Sequence, residues 1–343
     1  MAQPELSDEL IAQIGELLDK HDLLTTARLC RRWSAISRQE LNSRFWRDLQ
    51  LDSYERLLSF SQLRSSSSST LHDLTFKTLT INDRPASSYV DGSDFAFLLG
   101  ITITESAEIE LQSASSASSP SPFPWSTLSS WVELSSLSVT ATIRSPDIIA
   151  SIIVSLPNLE NVCLDVDYID PLLTPYPVES GPCRLRSLQL RSRGHTILSW
   201  LTVLQTSTFS LQELAVEIAC EDLRPLQEFS MKHASEVEYL TATLHRSRFK
   251  DLIPCLPYFG AVVGVELCLR YSKGSYQRWI TAAALAIDAP FIESFDVYVP
   301  MLPGGLDELR MLQISVQECF SRKPLEYEGL SSEVVSISQR SWV

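Results

Sequence analysis

The sequence predicts an α/β protein in two parts: a small N-terminal helical bundle at 1–48, then a solenoid of strand–helix units at 74–343. A linker and first helical cap at 49–73 join them. Three observations predict this. An apolar triplet recurs about every 26 residues beyond residue 70, amphipathic helical patterns fill the intervals, and the first 45 residues are densely helical with no copy of the triplet until Trp46. At 343 residues the chain is long enough for one large or two ordinary folding units.

The triplet has the form LxxLxL with substitutions. It reads Leu134, Leu137, Val139, then Leu159, Val162, Leu164, then Leu185, Leu188, Leu190, then Leu211, Leu214, Val216. It continues through Val237, Leu240, Ala242, then Val262, Val265, Leu267, then Ile292, Phe295, Val297, so that successive starts lie 25, 26, 26, 26, 25 and 30 residues apart. Looser copies precede these at Trp46, Leu49, Leu51, at Phe76, Leu79, Ile81 and at Ser106, Ile109, Leu111. The second and third positions are two apart, so they share one face of a strand and the residues beside them face outward.

Between the strands the apolar period changes to that of a helix. Ser145 can cap a helix with Pro146 in its first turn and Ile148, Ile149, Ile152, Ile153 and Leu156 on one face. The stripe returns as Ile197, Trp200, Leu201, Leu204, as Leu223, Leu226, Phe229 behind Asp222, and as Phe249, Leu252, Ile253, Leu256 behind Ser247. Trp279, Ile280, Ala283 and Leu306, Leu309, Leu312 close the series, while serine-rich stretches at 65–69 and 113–121 read as loops.

One such unit cannot bury its own apolar face, so neighbours must stack. The units resemble leucine-rich repeats in period and strand motif. They depart at the position usually held by asparagine or cysteine, which here is Thr142, Asp167, Arg193 and Ala219. Losing that asparagine leaves the turns to be satisfied by water or by other backbone groups. The competing architectures are a barrel, at about 31 residues per unit, and a doubly wound sheet. The 26-residue period favours the solenoid.

At the N-terminus Ser7 can cap a helix bearing Leu10, Ile11, Ile14, Leu17 and Leu18, and Asp22 can cap a second carrying Leu23, Leu24, Ala27 and Cys30. A third follows from Arg31, Arg32 and Trp33 through Ile36 and Leu41, with both arginines read as solvated charges and Trp33 as core. The ordered set Leu6, Glu9–Leu10, Ile14, Leu17–Leu18, Asp22–Leu23, Leu29, Cys30, Arg31, Arg32, Trp33 and Trp46 resembles an F-box, with Ser7 where that family usually has proline. The resemblance implies docking onto a Skp-type adaptor and, through it, a cullin-RING ubiquitin ligase. The adaptor-binding residues it implies are Leu6, Leu10, Ile14, Leu17, Leu23, Leu24, Leu29, Cys30 and Trp33.

Composition limits the alternatives. A net charge of −14 repels a polyanion over most of the surface, so nucleic acid is not expected as a partner. No uncharged apolar run approaches the ~18 residues that cross a bilayer, and no secretory signal opens the chain, which predicts an intracellular protein, cytoplasmic or nuclear, with no membrane partner. Seven cysteines without a CxxC and five scattered histidines predict reduced core thiols, no disulfide framework and no metal. No phosphate-cradling glycine motif and no nucleophile–base–acid arrangement is present, so neither a cofactor nor catalysis is expected.

What remains is recognition of a protein. The outward strand residues form polar columns, from which Arg191, Arg270, Tyr239 and Tyr298 stand out as anchors. Asp165, Glu217, Glu266 and Asp296 lean the face acidic, toward a basic segment of a target protein. The expected function is that of a substrate receptor in a ubiquitin ligase. A scaffold or sequestering protein using the repeats alone is the second reading, and an α/β enzyme with a strand-end site near Asp167, Arg193, His245 and Tyr298 is the third.

Overall fold

The computed structural model describes residues 7–44, 47–65, 75–83, 92–111, 123–170, 184–192, 194–203, 210–218, 224–233, 236–244, 261–269, 280–281, 284, 292–299, 305–321 and 335–339. Eleven strands form a parallel sheet in which spatial order equals chain order. They are β1 Asp48–Leu51, β2 Thr75–Asp83, β3 Thr102–Leu111, β4 Ser136–Ile143, β5 Asn161–Tyr168 and β6 Ser187–Ser192, then β7 Glu213–Ile218, β8 Tyr239–Leu244, β9 Gly264–Leu269, β10 Ser294–Val299 and β11 Val335–Gln339. The order never reverses, as a doubly wound sheet must at its switch point. The chain divides into two compact units, residues 1–110 with 122–134 and residues 111–121 with 135–343.

The first unit opens with three helices, α1 Asp8–Leu17, α2 Lys20–Thr26 and α3 Arg31–Arg44. Ser7 caps α1 as the sequence suggests, accepting from the Leu10 amide at 3.3 Å. The α2 cap is Asp19, which accepts from the Asp22 amide at 2.8 Å, so the helix starts three residues earlier than expected and Asp22 lies in its first turn. The face of α1 that packs on α3 carries Ile11 and Gly15, and a Cβ at Gly15 would sit 3.3 Å from Glu40 Cγ and 3.4 Å from Ile36 Cγ2. Arg44, in the last turn of α3, donates to the Gly15 and Glu16 carbonyls at 3.2 and 2.7 Å, sharing Gly15 O with the Leu18 amide at the end of α1.

Helix α4, Tyr54–Ser65, follows β1 directly and belongs to the same unit. Its Phe60 stacks edge-on with Phe97 at 5.3 Å and with Phe76 at 6.4 Å. Phe97 lies in a 3₁₀ helix, Gly92–Leu98, whose last carbonyls take up the buried Arg64 of α4. The guanidinium donates to Phe97 O and, at 2.5 Å, to Leu99 O. Gly100 closes this turn at φ +82, where a Cβ would meet Arg64 Nη2 at 2.8 Å; only glycine fits both the dihedral and the space. A second 3₁₀ helix spans Trp125–Ser130, and the Trp131 indole next to it donates to Ile101 O at 3.0 Å.

The second unit is built from the period itself. In-register partners Ser138, Cys163, Gln189, Ala215, Thr241, Glu266, Asp296 and Ser336 lie 25, 26, 26, 26, 25, 30 and 40 residues apart. The second and third triplet positions therefore stack as two inner columns, and of those from Leu137 to Val297 none exceeds 3% exposure. The helices α5 Pro146–Ser155, α6 Gly194–Val203 and α7 Arg224–His233 bury Ile149, Ile153, Ile197, Trp200, Leu201, Leu226 and Phe229 from their predicted stripes. In the last helix, α8 Gly305–Ser321, Leu309 and Leu312 are buried while Leu306 is exposed, so the predicted stripe holds at two of three positions. Ser145 stands before α5 as expected, but its hydroxyl pairs with the Asp147 carboxylate rather than with a backbone amide. The helical stripe proposed at 249–256, Leu204, Leu223, Trp279 and Ala283, and the serine loops beyond Ser65, lie outside the described residues.

Backbone groups join successive strands at their starts. At the starts of β4 to β6 one carbonyl accepts two successive amides of the next repeat: Ser135 O from Glu160 and Asn161, Glu160 O from Arg186 and Ser187, Arg186 O from Gln212 and Glu213. The same fork recurs at Gln212, Glu238 and Val263. At the far end of β4 and β5 the Ile169 and Asp170 amides donate to Ile143 O and Arg144 O at 3.1 and 2.9 Å. Backbone satisfaction, one of the two routes open from the sequence, is seen after the strand at β4 and β5.

Candidate protein-recognition surfaces

The first surface lies on the helical bundle. Ile11 and Gly15 face α3; Ile14, three residues from Ile11, flanks that face, and Leu10 and Leu17, at i and i+7, lie further round the helix. Leu10 is 43% and Leu17 86% exposed, and Ile14 is half-buried. Leu24 and Leu29 add exposures of 40% and 67%, with Cys30 exposed beside Leu29. Leu23 is fully buried, so it packs the bundle. Trp33 is half-buried and Cys30 is not the core thiol expected of it; Leu6 and Trp46 lie outside the described residues.

Arg32 departs from its reading as a solvated charge. Its Nε and Nη2 both reach Asp8 Oδ1, at 2.8 and 2.5 Å, tying the start of α3 to the start of α1. Both side chains are well exposed, so the pair adds little stability, but it fixes how the first turn of α1 lies.

The second surface is the outward face of β4 to β11. Three polar columns run across it. The first includes Glu213, Tyr239, Gly264 and Ser294, and the second runs from Ser138 to Ser336. The third sets Thr140, Asp165 and Arg191 in register on β4 to β6, and Glu217, Thr243, Cys268, Tyr298 and Ser338 in register on β7 to β11. Of the predicted target residues, Arg191 and Tyr239 are exposed, and Asp165, Glu217, Glu266, Asp296 and Tyr298 are half-buried on this face. Arg270 lies outside the described residues, as do Arg193 and His245 of the strand-end alternative. Tyr239 reaches across Gly264, where a Cβ would stand 2.9 Å from its Cδ1; the absence of a side chain gives the ring its seat.

A groove of about 520 Å³ opens over Ala215, whose short side chain leaves a dip between Gln189 and Thr241. Asp165, Arg191 and Glu217 form its charged rim, with Thr243 on the same side. Two units further along, Glu266 and Asp296 lie directly opposite each other. Partial burial first, then the Glu266 charge, raise the Asp296 carboxyl above its ordinary value, against a lowering hydrogen bond from Ser336. At the end of β5 the Tyr168 phenol is pushed up by burial and then by Asp167, so it stays protonated. Cys163 Sγ donates to Gln189 Oε1 at 3.3 Å and Cys268 Sγ to Glu266 Oε1 at 3.2 Å.

Sequence reasoning missed β11, and with it Ser336 and Ser338. The signal is faint, because Ser332 occupies the first triplet position and only Val335 and Ile337 remain. Among the described residues no three His, Cys, Asp or Glu side chains are grouped to hold a metal, and no helix is long and apolar enough to cross a membrane. No family model matches the chain, and no curated protein matches it.

Proposed function

We propose that this chain is the substrate-recognition subunit of a Skp–cullin–F-box type ubiquitin ligase. In this reading residues 1–48 dock the adaptor, and residues 74–343 are a leucine-rich-repeat-like solenoid whose outward strand face holds a target protein. The observation that carries it is the second apolar stripe of α1. A helix of ten residues that packs Ile11 and Gly15 inward, with Ile14 half-buried beside them, leaves Leu10 and Leu17 exposed on its flank. Leu24 and Leu29 enlarge that apolar supply, which suits a partner that covers it.

The repeats support the second half of the reading. Each parallel strand pairs with the next at the triplet period, and the outward columns are largely polar and mixed in sign. The acidic members Asp165, Glu217, Glu266 and Asp296 favour a basic segment of the target. The receptor contributes position and leaves the chemistry to the ligase. The test is gel filtration of the full chain with a recombinant Skp-type adaptor. A 1:1 complex is expected, and separate elution at micromolar concentrations of both would refute it, leaving a scaffold that uses the repeats alone.

A further inference from the structure

One cleft in the first unit has the opposite sign to the chain as a whole. It measures about 600 Å³ and lies between α3 and the starts of β2 and β3. Helix α3 supplies Ala35, Arg38 and Gln39, which share one face at i, i+3, i+4. Arg47 comes from the residue before β1, and Thr75 and Lys77 from alternate positions of β2. Phe76 and Thr104 complete the wall. Three lining side chains are cations and none is a carboxylate, in a chain with 28 Lys and Arg against 42 Asp and Glu.

The backbone holds two of these cations together. Arg47 O accepts from the Lys77 amide at 2.7 Å and from Thr78 at 3.2 Å, which fixes the two residues side by side across β1 and β2. Lys77 is joined by Glu105 of β3, an ion pair between half-exposed groups that a stronger anion can displace. The Thr75 hydroxyl and the Gln39 amide add neutral donors, the Thr104 hydroxyl donates to Phe76 O at 3.4 Å, and Ala35 leaves room where a longer side chain would fill the cleft.

We propose that this cleft binds a small polyphosphorylated ligand. Phosphate suits arginine and lysine because its oxygens accept several charge-assisted hydrogen bonds at once. Three cations exceed what one tetrahedral anion needs, and the volume falls in the range of small-molecule sites, about 300–1,000 Å³. A long polyanion would extend beyond the cleft into a field set by a net charge of −14, whereas a compact one stays within about one Debye length of the three cations. The proposal is independent of adaptor docking.

Calorimetric titration of the full chain with sodium phosphate, pyrophosphate and tripolyphosphate, at ionic strength held constant with sodium chloride, tests it. Saturable 1:1 binding is expected, tightening roughly tenfold or more from phosphate to tripolyphosphate. Arg38→Glu should weaken tripolyphosphate at least about thirtyfold, Lys77→Gln should weaken it about tenfold, and Glu105→Gln should tighten it several-fold by releasing Lys77. The change of sign at Glu105 separates a built site from diffuse attraction, and melting curves that match the parent exclude loss of fold. No saturable binding of tripolyphosphate would overturn the proposal, as would equal affinity in the parent and both cation variants. Retention of a phosphoserine peptide without tripolyphosphate would overturn it too, by assigning the cleft to a protein partner.

Discussion

Replacing Leu10 and Leu17 together by alanine should weaken adaptor capture and leave the fold intact, whereas Leu23→Ala should destabilise the bundle itself. The magnitudes follow from exposure. A leucine taken wholly out of water contributes about 1.5–3 kcal/mol. Leu17 has 86% and Leu10 43% of its surface still to bury, so a partner covering both gains about 2–4 kcal/mol. Alanine retains part of this, leaving an expected loss of about 2–3 kcal/mol, or roughly 30- to 150-fold in Kd. In the free chain the same two side chains contribute little, so the melting temperature should move by less than about 2 °C. Leu23 has no exposed surface, and its truncation leaves a cavity in the bundle worth about 2–5 kcal/mol of local stability. Surface plasmon resonance against immobilised adaptor, with circular dichroism melts of each variant, reads both quantities. Unchanged affinity in the double variant would refute the assignment of this stripe to the adaptor. A double variant that melts early would show that the stripe is internal packing after all.

Two further outcomes are expected. Arg64→Ala strips the Phe97 and Leu99 carbonyls of a buried charged donor and should cost about 3 kcal/mol in urea denaturation; a loss below about 1 kcal/mol would mean the turn at Gly100 holds itself. Asp296 has its pKa raised in the folded state, so the folded chain binds its proton more readily than the unfolded one, and this contribution to stability is lost as pH rises through the raised value. Asp296→Asn should therefore stabilise near neutral pH, by under about 2 °C in melting temperature because the group is mostly solvated, and the gain should vanish below the ordinary aspartate range; a gain that grows on acidification would contradict the cause given.

The sheet was readable because its signal is redundant. Each triplet predicts the next, so Val237, Leu240, Ala242 reads as a strand although alanine alone would not suggest one. Where the redundancy lapses, so does the reading: β11 has two of three apolar positions, and the 3₁₀ helices at Gly92–Leu98 and Trp125–Ser130 carry no 3.6-residue period to detect. The α2 cap failed for a different reason. Asp19 and Asp22 are both competent N-caps three residues apart, and the first takes the role by accepting from the amide of the second. Outward columns were legible from alternation alone, because side chains two apart on a strand share a face. The cleft around Arg38, Arg47 and Lys77 was not, since its cations come from three elements and no local pattern announces that they meet.

The forked carbonyls at the strand starts bear on how such a chain can change length. Each clasp pins only the first rung of a strand to its neighbour, so alignment is reset once per turn and does not depend on what the return path contains. Val263 O still grips Glu293 and Ser294 across an interval of 30 residues, as firmly placed as Arg186 O across 26. Splicing extra residues into a return segment should then leave every later rung aligned, which lets surface loops be gained or lost without rewriting the face that the strands display.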